Sequence, residues 1–223
     1  MQWTIITDLN KCVGCKSCQV SCKEHNTAGA FGPLPDLDPY QEPDGMWWNR
    51  VLTIEAGTFP HTGVLYLPKA CMHCYDAPCV PVCPTGASFK REDNGVVLVD
   101  YDTCVGCQLC LWACPYGVRE FDPHEGVVKK CTLCIDRLED ERLPAAERIP
   151  ACVESCPTRA RVFGDLDDPD SEVSHLVQAR QGFTLFPELG ARPAVHYLPR
   201  RPVPGSGAGR VPDAPEVPEG RRA

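Results

Sequence analysis

Sixteen cysteines in a chain of 223 residues are the side chains best able to do chemistry, and their spacing indicates which chemistry. Cys12, Cys15, Cys18 and Cys22 read C-x2-C-x2-C-x3-C, and Cys104, Cys107, Cys110 and Cys114 repeat that spacing ahead of Pro115. Cys71, Cys74, Cys79 and Cys83 read C-x2-C-x4-C-x3-C before Pro84. Cys131, Cys134, Cys152 and Cys156 share those ends, with 17 residues between the second and third cysteines, before Pro157. No cysteine is left over. Three thiolates at i, i+3 and i+6 of a tight turn can converge on three irons of a cubane, while the fourth points away. In bacterial ferredoxin runs of this kind the fourth Cys ligates the other cluster of a pair, and a proline after it cannot continue a helix. The chemistry predicted is one-electron transfer through four [4Fe-4S] clusters. Sixteen ligands at four per cubane leave no coordination position for a substrate, so no catalytic residue and no direct small-molecule substrate is expected.

Two plainer uses of cysteine fit less well. A disulfide framework suits a small secreted domain, but residues 1–7 carry no basic, apolar or twin-arginine leader and the spacing is too regular. Zinc sites use C-x2-C pairs two at a time and gain nothing from a third Cys three residues on.

The elements that must hold these turns are short. Groups one and three align over Asp8 to Cys22 and Asp100 to Cys114 at an offset of 92 residues; groups two and four share Cys-Val and Cys-Pro-Thr-x-Ala. A duplicated two-cluster unit follows, each copy with a β-branched strand (residues 4–7 and 96–99) feeding a ligand turn and then a short cysteine-bearing helix. The predicted fold class is α+β: duplicated two-cluster ferredoxin-like domains with short strands, short helices and long irregular loops. The expected organisation is an outer module of residues 1–25 and 125–190 with groups one and four, and an inner module of residues 63–124 with groups two and three. Residues 26–62 form a proline-containing insertion without periodicity, residues 63–68 a strand, and residues 170–180 an amphipathic helix capped by Asp170 and stopped by Gly182. Residues 191–223 form an extended Pro-rich tail expected to lie over a partner and to fray after Gly205.

Lys plus Arg number 22 and Asp plus Glu 30, a formal net charge of −8, which argues against nucleic acid as a partner. No run approaches the roughly 18 apolar residues of a spanning helix.

The four groups, their order and the long gap in the last one resemble the iron–sulfur electron-transfer subunit of molybdopterin oxidoreductases of the dimethyl sulfoxide reductase family, over roughly residues 3–200. Cys79-Val80-Pro81-Val82-Cys83-Pro84-Thr85-Gly86-Ala87, Trp112-Ala113-Cys114-Pro115-Tyr116-Gly117 and Lys130-Cys131-Thr132-Leu133-Cys134 carry that resemblance. Cys22-Lys23-Glu24-His25-Asn26-Thr27, Asn49-Arg50-Val51 and His196-Tyr197-Leu198-Pro199-Arg200-Arg201 are most similar to the iron–sulfur subunit of membrane-bound sulfite dehydrogenases, with His25 where Trp is expected. The resemblance implies that groups one and four exchange their fourth ligands, as do groups two and three. The implied sets are Cys12, Cys15, Cys18 with Cys156; Cys131, Cys134, Cys152 with Cys22; Cys71, Cys74, Cys79 with Cys114; and Cys104, Cys107, Cys110 with Cys83. It also implies a molybdopterin-containing catalytic subunit, an integral membrane quinone-interacting anchor subunit, and a peripheral position on the cytoplasmic face of the inner membrane, or on the periplasmic face after co-export with a signal-bearing partner. Sister subunits serving dimethyl sulfoxide, thiosulfate, polysulfide or tetrathionate reduction share the cysteine pattern, and a free-standing polyferredoxin carrier is the remaining alternative.

Several further residues carry expectations. Lys129 and Lys130, beside Cys131, either raise the potential of their cluster or are solvated cations. His73 lies near the cysteines or on the surface without binding iron. Trp112 packs against cluster sulfur; Trp47 and Trp48 anchor the insertion to a partner or fill a small core. Asp8 and Asp100 cap the ligand turns, and Gly14 and Gly106 leave room for N–H groups to approach sulfur.

Overall fold

A computed structural model describes residues 1–27 and 46–201. Along them run β1 (Trp3–Asp8), α1 (Ser17–Thr27), β2 (Asn49–Thr58), β3 (His61–Ala70), β4 (Ser88–Lys90), β5 (Val97–Val99), α2 (Leu109–Trp112), β6 (Glu120–Asp122), β7 (Val127–Lys129), α3 (Ile135–Leu138), α4 (Ala151–Glu154), β8 (Arg161–Asp165), α5 (Glu172–Ala179) and β9 (His196–Leu198). The content is mixed α+β, and most elements are a single turn or three residues long.

β1 is the centre of a three-stranded sheet, antiparallel to β8 from Trp3↔Asp165 to Thr7↔Arg161 and parallel to β9 from Ile6↔His196 to Asp8↔Leu198. Its β-branched residues suit a strand buried on both faces. Ile5 packs with Cys18, Cys22, Leu133 and Cys152, whereas Ile6, one residue on and on the opposite face, packs with Val173 and Leu198 beneath α5.

Strand pairs alternate with cysteine groups. β2–β3 lies between groups one and two, β4–β5 between groups two and three, and β6–β7 between groups three and four; each pair is antiparallel. β8, after group four, closes on β1, ahead of group one. The duplication therefore extends to the strand pairing: β4 on β5 repeats β8 on β1, and β6–β7 repeats β2–β3 in shortened form.

Three expectations are corrected here. The stretch expected to be an aperiodic insertion contributes β2, in register with β3 from Asn49↔Ala70 to Thr58↔His61; cross-strand pairing supplies the order that periodicity did not signal. Helix α5 is capped by Ser171, whose hydroxyl accepts from the Ser174 N–H at 3.2 Å, rather than by Asp170. The start of the Pro-rich tail packs into its own chain: β9 joins β1, Thr4 donates to the Ala194 carbonyl at 2.8 Å, and the buried Tyr197 hydroxyl donates to the Pro68 carbonyl at 3.0 Å. Residues 28–45, with Pro33, Pro35, Pro39 and Pro43 of the insertion, and residues 202–223 of the tail lie outside the described residues.

Candidate metal centres

All sixteen thiols are free, so none serves a disulfide. Cys12, Cys15, Cys18 and Cys156, set one, line a common cavity, which Arg161 also borders. Cys22, Cys131, Cys134 and Cys152, set two, are all buried and face one another. Cys71, Cys74, Cys79 and Cys114, set three, line a common cavity, with Arg119 and Tyr116 in its wall. Cys83, Cys104, Cys107 and Cys110, set four, line another. Each set draws three cysteines from one sequence group and the fourth from another.

Strand pairing produces that exchange. β8 on β1 brings the turn after Cys156 against the turn before Cys12, where the Asp8 N–H donates to the Ala160 carbonyl at 2.7 Å. β4 on β5 does the same for Cys83 and Cys104, where the Asp100 N–H donates to the Ala87 carbonyl at 2.8 Å. Asp8 and Asp100 also begin their ligand turns with their side chains, accepting from the N–H groups of Asn10 at 2.9 Å and Asp102 at 3.0 Å.

The thiols are tuned in two directions. Burial and then the neighbouring cysteines push Cys74 and Cys131 up to about 12, and hold Cys22 well above the ordinary thiol value. Cys83 and Cys156, the two cysteines before Pro-Thr, lie below that value. Burial pushes them up, but donors from the following turn outweigh it: the Ser88 N–H at 3.4 Å and the Thr85 hydroxyl at 3.6 Å for Cys83, and the Thr158 hydroxyl at 3.7 Å and the Ala160 N–H at 3.3 Å for Cys156. Such donors stabilise the thiolate, the form that binds iron.

The residues present fit an anionic cluster. His73 Nε2, Tyr116 Oη, Arg119 Nη1 and Arg161 Nε are buried and have no hydrogen-bond partner among the described residues. A buried donor without an acceptor is expensive, and Arg161, Tyr116 and Arg119 line the cavities of sets one and three. Sulfur-ligated iron supplies acceptors at such positions. Among the described residues no three His, Cys, Asp or Glu side chains close on a single metal ion, the arrangement zinc would need.

The other singled-out residues divide. His73 is 0% exposed, and its Nδ1 accepts from the Val97 N–H at 3.1 Å, so the proton is on Nε2. Burial, then Lys130, Arg119 and Lys90, hold its pKa well below the ordinary range and the ring neutral. Trp48 fills the core beside Val51 and Cys22, and Lys23 Nζ lies over both Trp47 and Trp48 at 5.0 and 5.7 Å. Trp112, expected against cluster sulfur, is 88% exposed: α2 is a single turn that turns Cys110 inward and Trp112 outward. Gly14 and Gly106 have φ of +68° and +66°, and a Cβ would come within 2.3 Å of the Tyr66 ring or of the Gly126 carbonyl oxygen; the turn conformation and this close packing require glycine. The two lysines also part. Lys129 pairs with Asp122 at 2.8 Å and with Glu125, while Lys130, 2% exposed, donates to the carbonyls of Val97 and Cys131.

Arg119 and Arg161 were missed. Both are buried, and Arg119 Nη2 donates to Cys79 Sγ at 2.8 Å and to Ser88 Oγ at 2.9 Å. A signal was available: each stands five residues after a cysteine that is followed by proline, Cys114 and Cys156.

Residues 11–87 match one family model described as a 4Fe-4S dicluster domain, and residues 62–166 match another of the same description. The chain is 59% identical to a subunit of the sulfite dehydrogenase of Allochromatium vinosum, over 90% of this chain and 84% of that one. It is 38% identical to a putative dimethyl sulfoxide reductase iron-sulfur subunit of Halobacterium salinarum, over 90% and 80%. It is 36% identical to the arsenate respiratory reductase iron-sulfur subunit ArrB of a Shewanella species, over 89% and 96%. Likeness that runs nearly end to end, through both halves of the duplication, identifies the chain as a member of the family of iron–sulfur electron-transfer subunits built on paired 4Fe-4S dicluster domains, with four [4Fe-4S] clusters.

Proposed function

We propose that this chain carries electrons between a molybdopterin-containing catalytic subunit that oxidises sulfite and a quinone-reactive subunit anchored in the membrane, and that sets one to four each hold one cluster. The observation that carries the substrate is the 59% identity to a sulfite dehydrogenase subunit across nine-tenths of the chain. The grouping of the cysteines in three cavities and one buried quartet supports the ligation. When bound, each [4Fe-4S] cluster takes up and returns one electron. The chain's own residues position, insulate and tune. Cysteine turns orient the thiolates, buried apolar side chains between sets exclude water, and N–H and hydroxyl donors stabilise the thiolates of Cys83 and Cys156. With every thiolate committed, bonds in the substrate are made and broken in the catalytic partner.

Sets one and four reach the surface and suit protein contacts. Cys15 of set one is exposed beside exposed Val13 and Val20, and Cys107 of set four beside exposed Val105, Leu109 and Trp112. No described helix is long and apolar enough to cross a membrane, and the proposed position is peripheral, on the cytoplasmic face. Purification of the native complex, identification of the large chain that accompanies this one, and assay with sulfite and with dimethyl sulfoxide form the test. Sulfite-dependent reduction of a quinone analogue supports the reading. A complex that turns over only dimethyl sulfoxide, or a molybdenum-free species of this chain alone, overturns it.

A further inference from the structure

The four cysteine sets form a row. Packing brings Cys18 of set one together with Cys22 and Cys152 of set two, Cys131 of set two with Cys71 and Cys74 of set three, and Cys79 of set three with Cys104 and Cys110 of set four. A buried cation stands at each of the three junctions. Arg161 lines the cavity of set one together with Cys18 and faces Cys152 and Cys131 of set two. Lys130 donates to the Cys131 carbonyl of set two and faces Cys71 and Cys79 of set three. Arg119 donates to Cys79 of set three and faces Cys110 of set four, which packs with Cys79.

Among the described residues, the buried Lys129 has Asp122 at 2.8 Å and the partly buried Arg180 has Asp8 at 3.1 Å, while the buried Lys23 donates to the Met46 carbonyl and lies over Trp47 and Trp48, away from any cysteine set. None of the three junction cations has a carboxylate partner among the described residues; the salt bridges involve other side chains. An uncompensated buried charge strongly opposes folding. Three of them, spaced along a row of thiolate sets, call for negative charge on both sides.

We propose that Arg161, Lys130 and Arg119 are shared counter-cations, each stabilising the added electron on both of the clusters it separates. The inference rests on the ligation proposed above. It makes each cation a positioning and tuning residue rather than a ligand, and it predicts effects in overlapping pairs. A cation between two clusters favours the reduced form of both, so its removal makes both potentials more negative and leaves the distant two unchanged.

The test is redox titration followed by electron paramagnetic resonance on the anaerobically purified complex, with iron and sulfide analysis of each variant. Arg161→Gln should lower two of the four midpoint potentials, Lys130→Gln one of those two and a third, and Arg119→Gln that third and the fourth. This shared-member pattern needs no prior assignment of signals. A variant that keeps four clusters yet shifts none, or shifts all four alike, overturns the proposal. Where a glutamine variant loses iron, Arg161→Lys, Arg119→Lys and Lys130→Arg decide, since they keep the charge and should keep the flanking potentials; a fall in those potentials with four clusters retained overturns it. An unsubstituted chain holding far fewer than about sixteen irons would overturn the ligation itself, and this inference with it.

Discussion

Backbone handedness at single positions governs whether the ligand turns can close. Gly14 and Gly106 occupy the same place in the two repeats and the same left-handed conformation, but different atoms crowd them. Gly14→Ala should destabilise by at least the left-handed penalty for a residue with a Cβ, about 1–2 kcal/mol, since the half-buried Tyr66 side chain must also be displaced, its Cγ included. Gly106→Ala should destabilise more: the obstacle is the Gly126 carbonyl, held in the turn between β6 and β7, where the Gly126 N–H donates to Asp122 at 2.9 Å. Thermal unfolding of the two variants under anaerobic conditions gives the order. The glycines themselves were legible from the repeated Cys-Val-Gly-Cys, but not the reason for them, since neither Tyr66 nor Gly126 is near its partner in sequence.

Helix ends and strand edges carry the next set of consequences. Ser171→Ala should cost about 1 kcal/mol, the usual effect of losing an N-cap acceptor, whereas Asp170→Ala should lie within about 0.5 kcal/mol of the unsubstituted chain. Urea unfolding of the two variants compares them directly. Both residues are good caps by type. The turn through Asp165 and Leu166 decides between them: Ser171 Oγ donates to the Asp165 carbonyl at 2.6 Å, and Ser174 Oγ to the Leu166 carbonyl at 2.9 Å. Tyr197→Phe should destabilise by about 1–2 kcal/mol by leaving the buried Pro68 carbonyl without its donor, and it should loosen β9 from β3 without disturbing the β1–β8 pairing. Amide hydrogen exchange faster at residues 196–198 than at 161–165 is the expected result. The β9 contact was hidden in the sequence because three residues among prolines carry no strand period, and pairing with β1 across the chain creates the strand.

For the molecule as a whole, the inorganic clusters are expected to be part of the fold. Iron removal by chelator should abolish cooperative unfolding, followed by circular dichroism, because the interior would then hold clustered thiols and three uncompensated cations. Trp112→Ser should leave the unfolding midpoint unchanged but weaken association with a partner subunit by roughly 30-fold, about 2 kcal/mol, if the exposed apolar end beside Cys107 is a contact; sedimentation of the native complex measures it. Cysteine spacing, the 92-residue repeat and the two β-branched strands were readable along the chain, because three thiolates in one turn and a strand with its turn are local objects. The meeting of Cys156 with Cys12 or of Cys83 with Cys104, the outward face of Trp112 and the burial of Arg119, Lys130 and Arg161 at the junctions depended on β1–β8 and β4–β5 pairing and on burial. Those are relations between distant segments, and the charge a buried cation needs beside it becomes apparent once its neighbours in space are known.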